Sequence, residues 1–521
     1  MTKTIPWKLG LLALIVMVSS GCNVIVSLPT ETATPTPSAT ATVAATSTAT
    51  LPPSATASPL PSATATLTLT PSVTPIPSNT PPPSSTPYPE LSAFRLDNWE
   101  LLDPLGLAVN GYPEQYVAFT NSNNRDDAGL LSARTPQPGT QVQRLYFSPS
   151  RNPAGRVLIL EMPESTRNRV FLSPAGNGVA YFIDSGEALP AGLYLLDLET
   201  GVKARILAVN SLVQRGFLAD PIWSADGAQI AIVLATEYAT DIFIFPRNGS
   251  TPYNLTQSGA YDFFPAFSPD GRYLAFASDR ADCPTWNPNT PNTCDGTDQL
   301  PPESGHLYVV ELATGVVTRL SETKLTEPPR WINNRLIAYG EGQPLFGDPS
   351  RVLWVADVVT GQAREVRRAT DANPLMLAES WSPDGSQVIY QDGNTNALVI
   401  ASASGQIIAQ NTELAYPRYG LAAGWSPDGT LIAIGGINEQ CPYGATVLNP
   451  LLEFLARGNT PPSMCAPRYS SDGVWLAFRG VSLNNFDGRS DVYVANNNGF
   501  GALNLTGDLR GTMNFLGWVG E

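Results

Sequence analysis

One five-residue motif, an aromatic residue followed by Ser-Pro-Asp-Gly, recurs along this chain and is followed each time by an alternating apolar run. The complete copies are Phe267–Gly271, Trp381–Gly385 and Trp425–Gly429. Degraded copies are Trp223–Gly227 and Tyr469–Gly473, and weaker ones are Leu172–Gly176 and Trp331–Asn334. A motif that returns so often predicts that one structural unit is repeated along the chain.

The spacing of the motif predicts the kind of unit. The serine-equivalent positions lie 51, 44, 64, 50, 44 and 44 residues apart. Four strands of five or six residues with short turns need roughly 40 to 45 residues, so each repeat fits one blade of a β-propeller. The alternatives are a solenoid or tandem sandwiches, but sandwiches rarely repeat one turn motif at a fixed period.

The motif itself has the chemistry of a tight turn. Proline presets φ at the first central position, aspartate tolerates the second, and glycine accepts the positive φ that reverses the chain. The aromatic residue ends the preceding strand and is large enough to pack between sheets. Strands such as Arg272–Ala277 and His306–Leu312 then alternate. Leu448–Arg457 is the one stretch with helical character, and its place in the repeat favours a strand or a loop.

Both ends of the repeat region bear on the number of blades. Seven motif copies predict seven blades, and the upstream segments supply strands for one more. Those segments are 116–120, 130–133, 142–147 and 156–160. Asn514–Val519 looks like a lone first strand, and its pairing with the N-terminal strands would close the ring and remove two sheet edges. We predict an all-β propeller over residues 91–521 with eight four-stranded blades, seven being the alternative.

These features resemble the TolB-type, WD-repeat-like β-propeller family over roughly residues 165–521. The resemblance rests on the Ser-Pro-Asp-Gly repeats, on Leu274–Arg280, and on Asn254-Leu255-Thr256 and Asn504-Leu505-Thr506. The resemblance implies the fold but does not imply a function, because the family is functionally mixed. Its namesake has fewer blades and an added N-terminal domain for which we find no matching segment, so the envelope partner of the namesake is not carried over.

Residues 1–21 have the features of a secretory signal peptide. Lys3 and Lys8 precede the apolar run Leu9–Val18, and small residues lead into Cys22. The small residue before Cys22 resembles the bacterial lipoprotein box, whose cysteine is lipidated after cleavage, although Ser19 stands where leucine is usual. The apolar run is too short for a permanent membrane span. We expect a lipid anchor at Cys22, and ordinary secretion is the alternative.

Residues 22–90 are predicted to be a linker. From residue 29 onward they are almost all Thr, Pro, Ala and Ser, so they cannot bury a core. Such a segment reaches roughly 190 Å when extended and about 45 Å as a coil. We expect it to hold the propeller away from the membrane, on the extracytoplasmic side of the cell envelope. The composition suits O-glycosylation, and a bare spacer is the alternative.

Charge and cysteine content narrow the possible partners. The net charge is −15, and only Lys203 and Lys324 remain as lysines beyond the signal peptide, so nucleic acid is a poor partner. Besides Cys22 there are four cysteines, an even number in an exported chain. We predict disulfides between Cys283 and Cys294, at the insertion 281–304, and between Cys441 and Cys465. Free thiols or a metal site are the alternative, but the spacing does not suit zinc.

Catalytic chemistry finds little support. His306 is the single histidine, so any Ser-His-Asp or Cys-His mechanism would need it, yet it lies where a blade strand begins. Asp126-Asp127 and Asp487 with Asp491 have asparagines nearby and offer oxygen ligands that suit calcium, but they match no calcium-loop spacing. No feature selects a carboxylate pair for glycoside cleavage. We predict a protein that is not an enzyme and has no metal and no cofactor.

Trp286 lies in the cysteine-bracketed insertion and breaks the repeat pattern. An exposed tryptophan in a loop can stack on a sugar or anchor a partner, the alternative being that it packs within its own loop. We predict a monomeric, membrane-anchored propeller that binds a protein or glycan through loops on one face or the mouth of its channel. The alternatives are a carboxylate-dependent polysaccharide hydrolase or lyase and a structural or assembly factor of the envelope.

The first testable prediction concerns the anchor. Cys22→Ala should release the protein from the membrane, because the thiol that would carry the acyl chains is gone. Membrane fractionation and mass spectrometry of the N-terminal peptide check this. A variant that stays with the membrane, together with a wild-type peptide that carries no acyl mass, would show that Cys22 is not lipidated.

Overall fold

The repeated motif forms the turn between the first and second strands of antiparallel sheets in the computed structural model of this protein. In five copies the serine Oγ donates a hydrogen bond of 2.5–2.7 Å to the aspartate two residues later. The same Oγ accepts the N–H group five residues after it at 2.9–3.0 Å. The glycines have φ of 65–71°, where a Cβ is disfavoured. These serines are Ser224, Ser268, Ser382, Ser426 and Ser470.

The structure describes residues 100–101, 115–122, 142–165, 168–183, 191–207, 213–214, 217–218, 220–236, 238–294, 302–342, 351–368, 376–414, 421–437, 441, 444–457, 463–481 and 489–520. All of them belong to one compact unit, residues 79–521. Cys22 and the predicted linker 22–90 lie outside the described residues, as do Asp126, Asp127 and Asp487. None of the described segments is a helix long and apolar enough to cross a membrane.

The described secondary structure is almost wholly β, with one short 3-10 helix, Pro153–Gly155. The first strands are β1 Glu100–Leu101, β2 Tyr116–Ser122, β3 Val142–Pro149, β4 Val157–Pro163, β5 Arg169–Leu172, β6 Gly178–Ile183, β7 Gly192–Asp197, β8 Val202–Leu207, β9 Val213–Gln214, β10 Phe217–Leu218, β11 Ile222–Trp223, β12 Gln229–Ala235, β13 Thr240–Pro246, β14 Tyr253–Asn254, β15 Asp262–Phe267, β16 Tyr273–Ser278, β17 Gly305–Glu311 and β18 Val317–Leu325. The others are β19 Arg330–Trp331, β20 Leu336–Glu341, β21 Val352–Asp357, β22 Gln362–Arg368, β23 Met376–Trp381, β24 Gln387–Asp392, β25 Leu398–Ser402, β26 Ile407–Asn411, β27 Leu421–Trp425, β28 Ile432–Gly436, β29 Thr446–Leu448, β30 Phe454–Arg457, β31 Cys465–Tyr469, β32 Trp475–Val481, β33 Ser490–Asn496, β34 Leu503–Asn504 and β35 Thr512–Trp518.

The strands group into four-stranded antiparallel units, which we number as blades around the ring. Blade 1 is β35 with β2–β4, blade 2 is β5–β8, blade 3 is β11–β14, blade 4 is β15–β18, blade 5 is β19–β22, blade 6 is β23–β26, blade 7 is β27–β30 and blade 8 is β31–β34. One parallel bridge, Gly436 to Cys465, joins blades 7 and 8. In addition, β1 pairs with β8 at the outer edge of blade 2, and β9 pairs with β10.

The core lies between the blades. Each apolar cluster joins two consecutive blades, and the series returns from blade 8 to blade 1. Alternate residues of one strand face opposite neighbours, as in β16, where Leu274 and Phe276 pack toward blade 3 and Ala275 and Ala277 toward blade 5. The alternation seen in the sequence therefore separates two buried sides in the central strands, rather than a buried side and a solvent side.

Four tryptophans at the ends of first strands each tie a blade to the one before it. The indole Nε1 of Trp223, Trp331, Trp425 and Trp518 donates to a main-chain carbonyl on the innermost strand of the preceding blade at 2.9–3.2 Å. A buried indole N–H needs such a partner. At these four junctions the packed indole thus also makes a hydrogen bond that fixes the position of one sheet relative to the next, whereas the buried Nε1 of Trp381 has no partner among the described residues.

Strands from the two ends of the described chain close the ring. β35 pairs with β2 in antiparallel register, from Val117 opposite Trp518 to Ser122 opposite Thr512. The side chain of Arg156 on the blade 1 side bonds the Leu505 carbonyl at 2.8 Å and Asp508 at 2.6 Å. The predicted closure of the ring is confirmed, and so is the all-β propeller. The number of blades stays a prediction, which the grouping of the described strands into eight units favours.

A stability prediction follows from the closure. Trp518 is 2% exposed and spans the junction of blades 8 and 1. Trp518→Ala should lower the free energy of unfolding by about 3–5 kcal/mol, because it leaves a cavity. Trp518→Phe should cost about 1–2 kcal/mol, because the Arg468 carbonyl loses its donor. Urea denaturation measures both changes. Phe500→Ala, at a side chain that is 43% exposed, is the control, and an equal effect in Trp518→Ala and this control would contradict the role of Trp518.

Candidate functional site on the insertion face

The insertion and the polar residues around it lie on one face of the ring. Asp262 begins β15 and pairs with Ser278, which ends β16, so both lie at the end of blade 4 opposite its Ser-Pro-Asp-Gly turn. The insertion starts directly after β16. We call this end of the ring the insertion face. Because all the motif turns join first and second strands, they lie together on the other face.

A disulfide braces the described part of the insertion. Cys283 and Cys294 are bonded, with their Cα atoms 5.9 Å apart, and Thr285 bridges to Thr293 inside the loop. The second disulfide joins Cys441 and Cys465, with Cα atoms 5.2 Å apart. Both predicted pairs are therefore present. The first pair holds together a loop that would otherwise be free at its tip.

The surroundings of Trp286 agree with one of the two interpretations that the sequence left open, packing within its own loop. It is half-buried, its Nε1 donates to Asp279 Oδ2 at 2.9 Å, and its ring meets Tyr261 edge-on with centroids 6.2 Å apart. Its main-chain N–H donates to the Gly259 carbonyl at 2.8 Å. Trp286 thus packs within its own loop and anchors the insertion on blade 4. A role in binding stays a prediction.

Below the insertion lies an acid cluster, which we define as Asp241, Asp262 and Asp279. All three are at most 5% exposed. Asp262 Oδ2 accepts from Arg280 Nη2 at 2.7 Å and from Ser258 Oγ at 2.8 Å, whereas its Oδ1 is buried without a hydrogen-bond partner among the described residues. The guanidinium of Arg280 lies 5.1 Å from the ring centroids of both Phe276 and Tyr308.

One arginine does not offset three buried carboxyl groups. Burial raises the pKa of Asp279 to about 6. Burial, followed by repulsion from Asp262, likewise raises the pKa of Asp241 to about 6. Removing charged groups from water disfavours their ionised form, which explains the direction. The cluster is enclosed, so its contacts serve the structure of the insertion face.

Asp241 also belongs to a polar clasp that occurs twice. Asn254 Nδ2 and Thr256 Oγ1 donate to Asp241 at 2.8 and 3.3 Å. In blade 8, Asn504 and Thr506 donate to Asp491, both at 2.9 Å. The clasp is the structural content of the repeated Asn-Leu-Thr sequence. Asp491 is 0% exposed, so this part of the possible calcium group suggested by the sequence is instead a buried structural carboxylate.

A second group of charges lies around the central channel. We define the channel cluster as Glu327, Arg330, Arg351, Glu379 and Arg468. Arg351 is 1% exposed, and its Nη2 donates to Glu379 Oε1 at 2.7 Å and to Glu327 Oε1. Gly340 leaves the room for this contact, because a Cβ there would lie 2.2 Å from both the arginine and Glu327.

The first strands of the blades position the channel cluster. Arg330, Glu379 and Arg468 lie on β19, β23 and β31, and such first strands contact each other between neighbouring blades, as β23 with β27 and β27 with β31. The contacts place these strands nearest the axis. Burial, then Glu379, raises the pKa of Glu327, whereas Arg351 opposes that rise. Sequence reasoning missed this cluster. The signal available was that Arg330 and Arg468 both stand two residues before the serine-equivalent position.

His306 has a structural environment. It is 6% exposed, its Nδ1 lies 3.3 Å from Arg319 Nη2, and its Nε2 lies 3.7 Å from Asp282 Oδ2. Burial and Arg319 lower its pKa. The described residues contain no group of three His, Cys, Asp or Glu side chains that could hold a metal ion. The absence of enzymatic activity, metal and cofactor stays a prediction.

Comparison with known proteins gives limited matches. No protein-family model matches the chain. A curated "Protein TolB homolog" of Chlorobium luteolum is 28% identical over 186 residues, which are 34% of this chain and 40% of the relative. A second TolB homolog, of Chlorobium chlorochromatii, is 26% identical over 167 residues, 32% of each chain. The chain thus spans less than half of the length of these relatives.

The similarity to solved structures is weak. TolB from Acinetobacter baumannii has a TM-score of 0.31 at 19% identity, with 56% of this chain and 62% of that chain covered. An oligogalacturonate lyase in complex with manganese has a TM-score of 0.40 at 15% identity, with 69% and 94% covered. Likenesses at this level say nothing about function.

The blades, the closing strand and the turn between first and second strands define a β-propeller. Over about a third of its length, the chain is similar to two curated TolB homologs, which agrees with the resemblance of its Ser-Pro-Asp-Gly turns and Asn-Leu-Thr clasps to the TolB-type β-propeller family.

The acid cluster predicts a pH dependence of stability. The pKa values of Asp241 and Asp279 are raised to about 6 in the folded protein, so their contribution is complete below about pH 4 and is lost as pH rises through 6. The free energy of unfolding should fall by about 1 kcal/mol per carboxyl between pH 5 and pH 7.5. Denaturation at several pH values measures this.

The Asp279→Asn variant isolates one of these groups. It should remove about half of the fall, because its side chain does not ionise. Glu322→Gln is the control, since Glu322 is 91% exposed. An unchanged pH dependence in Asp279→Asn would show that this carboxyl does not titrate near pH 6.

Proposed function

We propose that this protein is an extracytoplasmic lipoprotein, anchored through Cys22, whose propeller binds a protein or glycan on its insertion face. The observation that carries the proposal is the braced insertion. The loop has its own disulfide, and Trp286 is bonded to Asp279 through its side chain and to Gly259 through its main chain. A loop held this rigidly loses little conformational entropy when it binds a partner.

The other features of this face support the same reading. The opposite face of the ring, which we call the turn face, carries the regular motif turns. The insertion face carries the loop and the acid cluster, and the channel cluster is reached from this side. Repeat scaffolds place their variable loops where they bind. The similarity to TolB homologues supports a binding module of the cell envelope. The anchor and the long linker of residues 22–90 would let such a module reach partners at a distance from the membrane.

The loop itself provides the test. The full chain, purified in detergent, is tested against purified envelope proteins and a glycan panel, and direct affinities are measured for whatever binds. Replacing residues 284–293 with a Gly/Ser loop, with both cysteines kept, should weaken binding at least tenfold if this loop forms the contact. Trp286→Phe keeps an aromatic ring near Tyr261 but removes the indole N–H, so it tests the hydrogen bond to Asp279 alone.

A control on the opposite face completes this prediction. Val316→Ser changes a side chain that is 58% exposed beside the turn between β17 and β18, and it should leave affinity unchanged. Equal affinity of the wild type and the loop replacement would move the binding site away from the insertion.

A carboxylate-dependent hydrolase or lyase is the second candidate, and one observation favours it. Glu327 and Glu379 are close to the channel, and the pKa of Glu327 is raised. Against it, both carboxylates bond the same buried Arg351, which holds them in place. Release of reducing or unsaturated sugar ends from polysaccharides, lost in Glu379→Gln, would support the enzyme and count against a binding module alone.

A further inference from the structure

A cation lies over a tryptophan on the turn face, where blade 8 meets blade 1. Arg151, in the turn between β3 and β4, has its guanidinium Cζ 4.6 Å from the centre of the Trp475 ring. Its Nη1 also donates to the Gly501 carbonyl at 3.2 Å, in the turn between β33 and β34. These two contacts hold the guanidinium between two blades, although Arg151 is exposed. A guanidinium has five N–H donors, so one such bond leaves the others open to a ligand.

Blade 4 repeats this arrangement with one difference, a carboxylate. The guanidinium of Arg272 lies 5.2 Å from the centre of the Tyr273 ring. Tyr273 begins β16 as Trp475 begins β32, so the two rings occupy the same position of the repeat. Across the sheet Tyr273 pairs with Glu311, whose carboxylate lies 3.8 Å from Arg272. In blade 4, therefore, the cation over the ring has its own counter-charge.

Blade 8 has no carboxylate at the corresponding position. The residue paired with Trp475 is Asn496, whose amide is uncharged. Arg151 makes no ion pair with any other described residue. Asp472, three residues before Trp475, is held by Ser470 Oγ and the Val474 N–H within the motif turn. Arg151 is thus a positioned cation to which a ligand can supply the carboxylate, through a charge-assisted hydrogen bond.

Exposed apolar side chains border this cation. Val474 is 48% exposed and directly precedes Trp475, and Phe500 is 43% exposed and directly precedes Gly501. The main chain joins the two segments, because Asn496, opposite Trp475, donates its N–H to the Phe500 carbonyl at 2.9 Å. We call this surface the junction patch and define it as Arg151, Val474, Trp475 and Phe500. Arginine and aromatic residues are enriched in protein interfaces and carry much of their binding energy.

We propose that the junction patch binds an acidic, apolar segment of a partner protein, with a carboxylate of the segment on Arg151 and its apolar side chains on Val474 and Phe500. The unpaired guanidinium is complementary to the carboxylate, and the exposed apolar side chains are complementary to the rest of the segment. A broad anionic surface would also meet the rest of a chain whose net charge is −15, whereas a single segment meets the patch alone. This site lies on the face opposite the insertion, so it goes beyond the proposed function.

The test measures the fluorescence anisotropy of labelled ligands with the full chain in detergent, and detergent alone is the blank. The probe is the peptide Leu-Glu-Phe-Glu-Leu. The comparison ligands are Leu-Gln-Phe-Gln-Leu, Ser-Glu-Ser-Glu-Ser and a galacturonic acid trimer. The probe should bind most tightly, and its affinity should fall as salt is raised.

The variants assign the binding to the junction patch. Arg151→Ala should weaken binding of the probe at least tenfold, because a charge-assisted hydrogen bond is lost, and Arg151→Lys should retain part of the affinity. Phe500→Ala should weaken it several-fold, because an apolar contact is lost. Arg272→Ala is the matched control, since it removes a cation from over an aromatic ring where Glu311 already supplies the carboxylate. It should leave the affinity unchanged.

Several results would overturn the inference. They are equal affinity of Arg151→Ala and Arg272→Ala for the probe, binding of the galacturonic acid trimer as tight as that of the probe, or no binding of the probe by the wild type. Arg151 and Phe500 are exposed, so urea denaturation of their variants separates lost binding from lost folding. Replacing residues 284–293 should leave affinity for the probe unchanged, because that loop is on the other face. The proposed function and this inference can therefore fail separately.

Discussion

The pairing of β35 with β2 is the contact on which the ring depends. Every blade buries both faces against its neighbours, so an open ring would expose one apolar face of blade 1 and one of blade 8 to water. The pairing joins residues from the two ends of the described chain and brings Trp518 onto the Arg468 carbonyl. The closing strand also stands first in its blade, and first strands lie nearest the axis, so the channel wall depends on the same contact.

The satisfaction of polar groups differs between the two faces of the ring and its axis. At the turn face, each motif serine and aspartate bond one another and the nearby main chain. At the insertion face, Asp262 keeps one carboxylate oxygen without a partner among the described residues. At the axis, Arg330 makes no hydrogen bond or ion pair with another described residue. A polar group without a partner in an otherwise repetitive fold is a candidate for a role other than folding.

Much of the fold can be predicted from the sequence because it is local. The Ser-Pro-Asp-Gly turn, the position of Trp223 or Trp425 at the end of a first strand and the pairing of Cys283 with Cys294 all involve residues close in the chain. Leu448–Arg457 was correctly favoured as strand or loop on its place in the repeat, and it contains parts of β29 and β30. For Trp286 the sequence left two interpretations open, and the contacts of its ring with Asp279 and Tyr261 agree with packing within its own loop.

The sequence by itself determined the repeat, its turn chemistry and the closing strand, since spacing and residue type are enough to specify them. Only the tertiary structure decided which charges meet. Glu327, Arg351 and Glu379 are separated by 24 and 28 residues and bond because blades 5 and 6 pack side by side. Pairs of that kind follow from the curvature of the whole ring, which no local pattern of residues encodes.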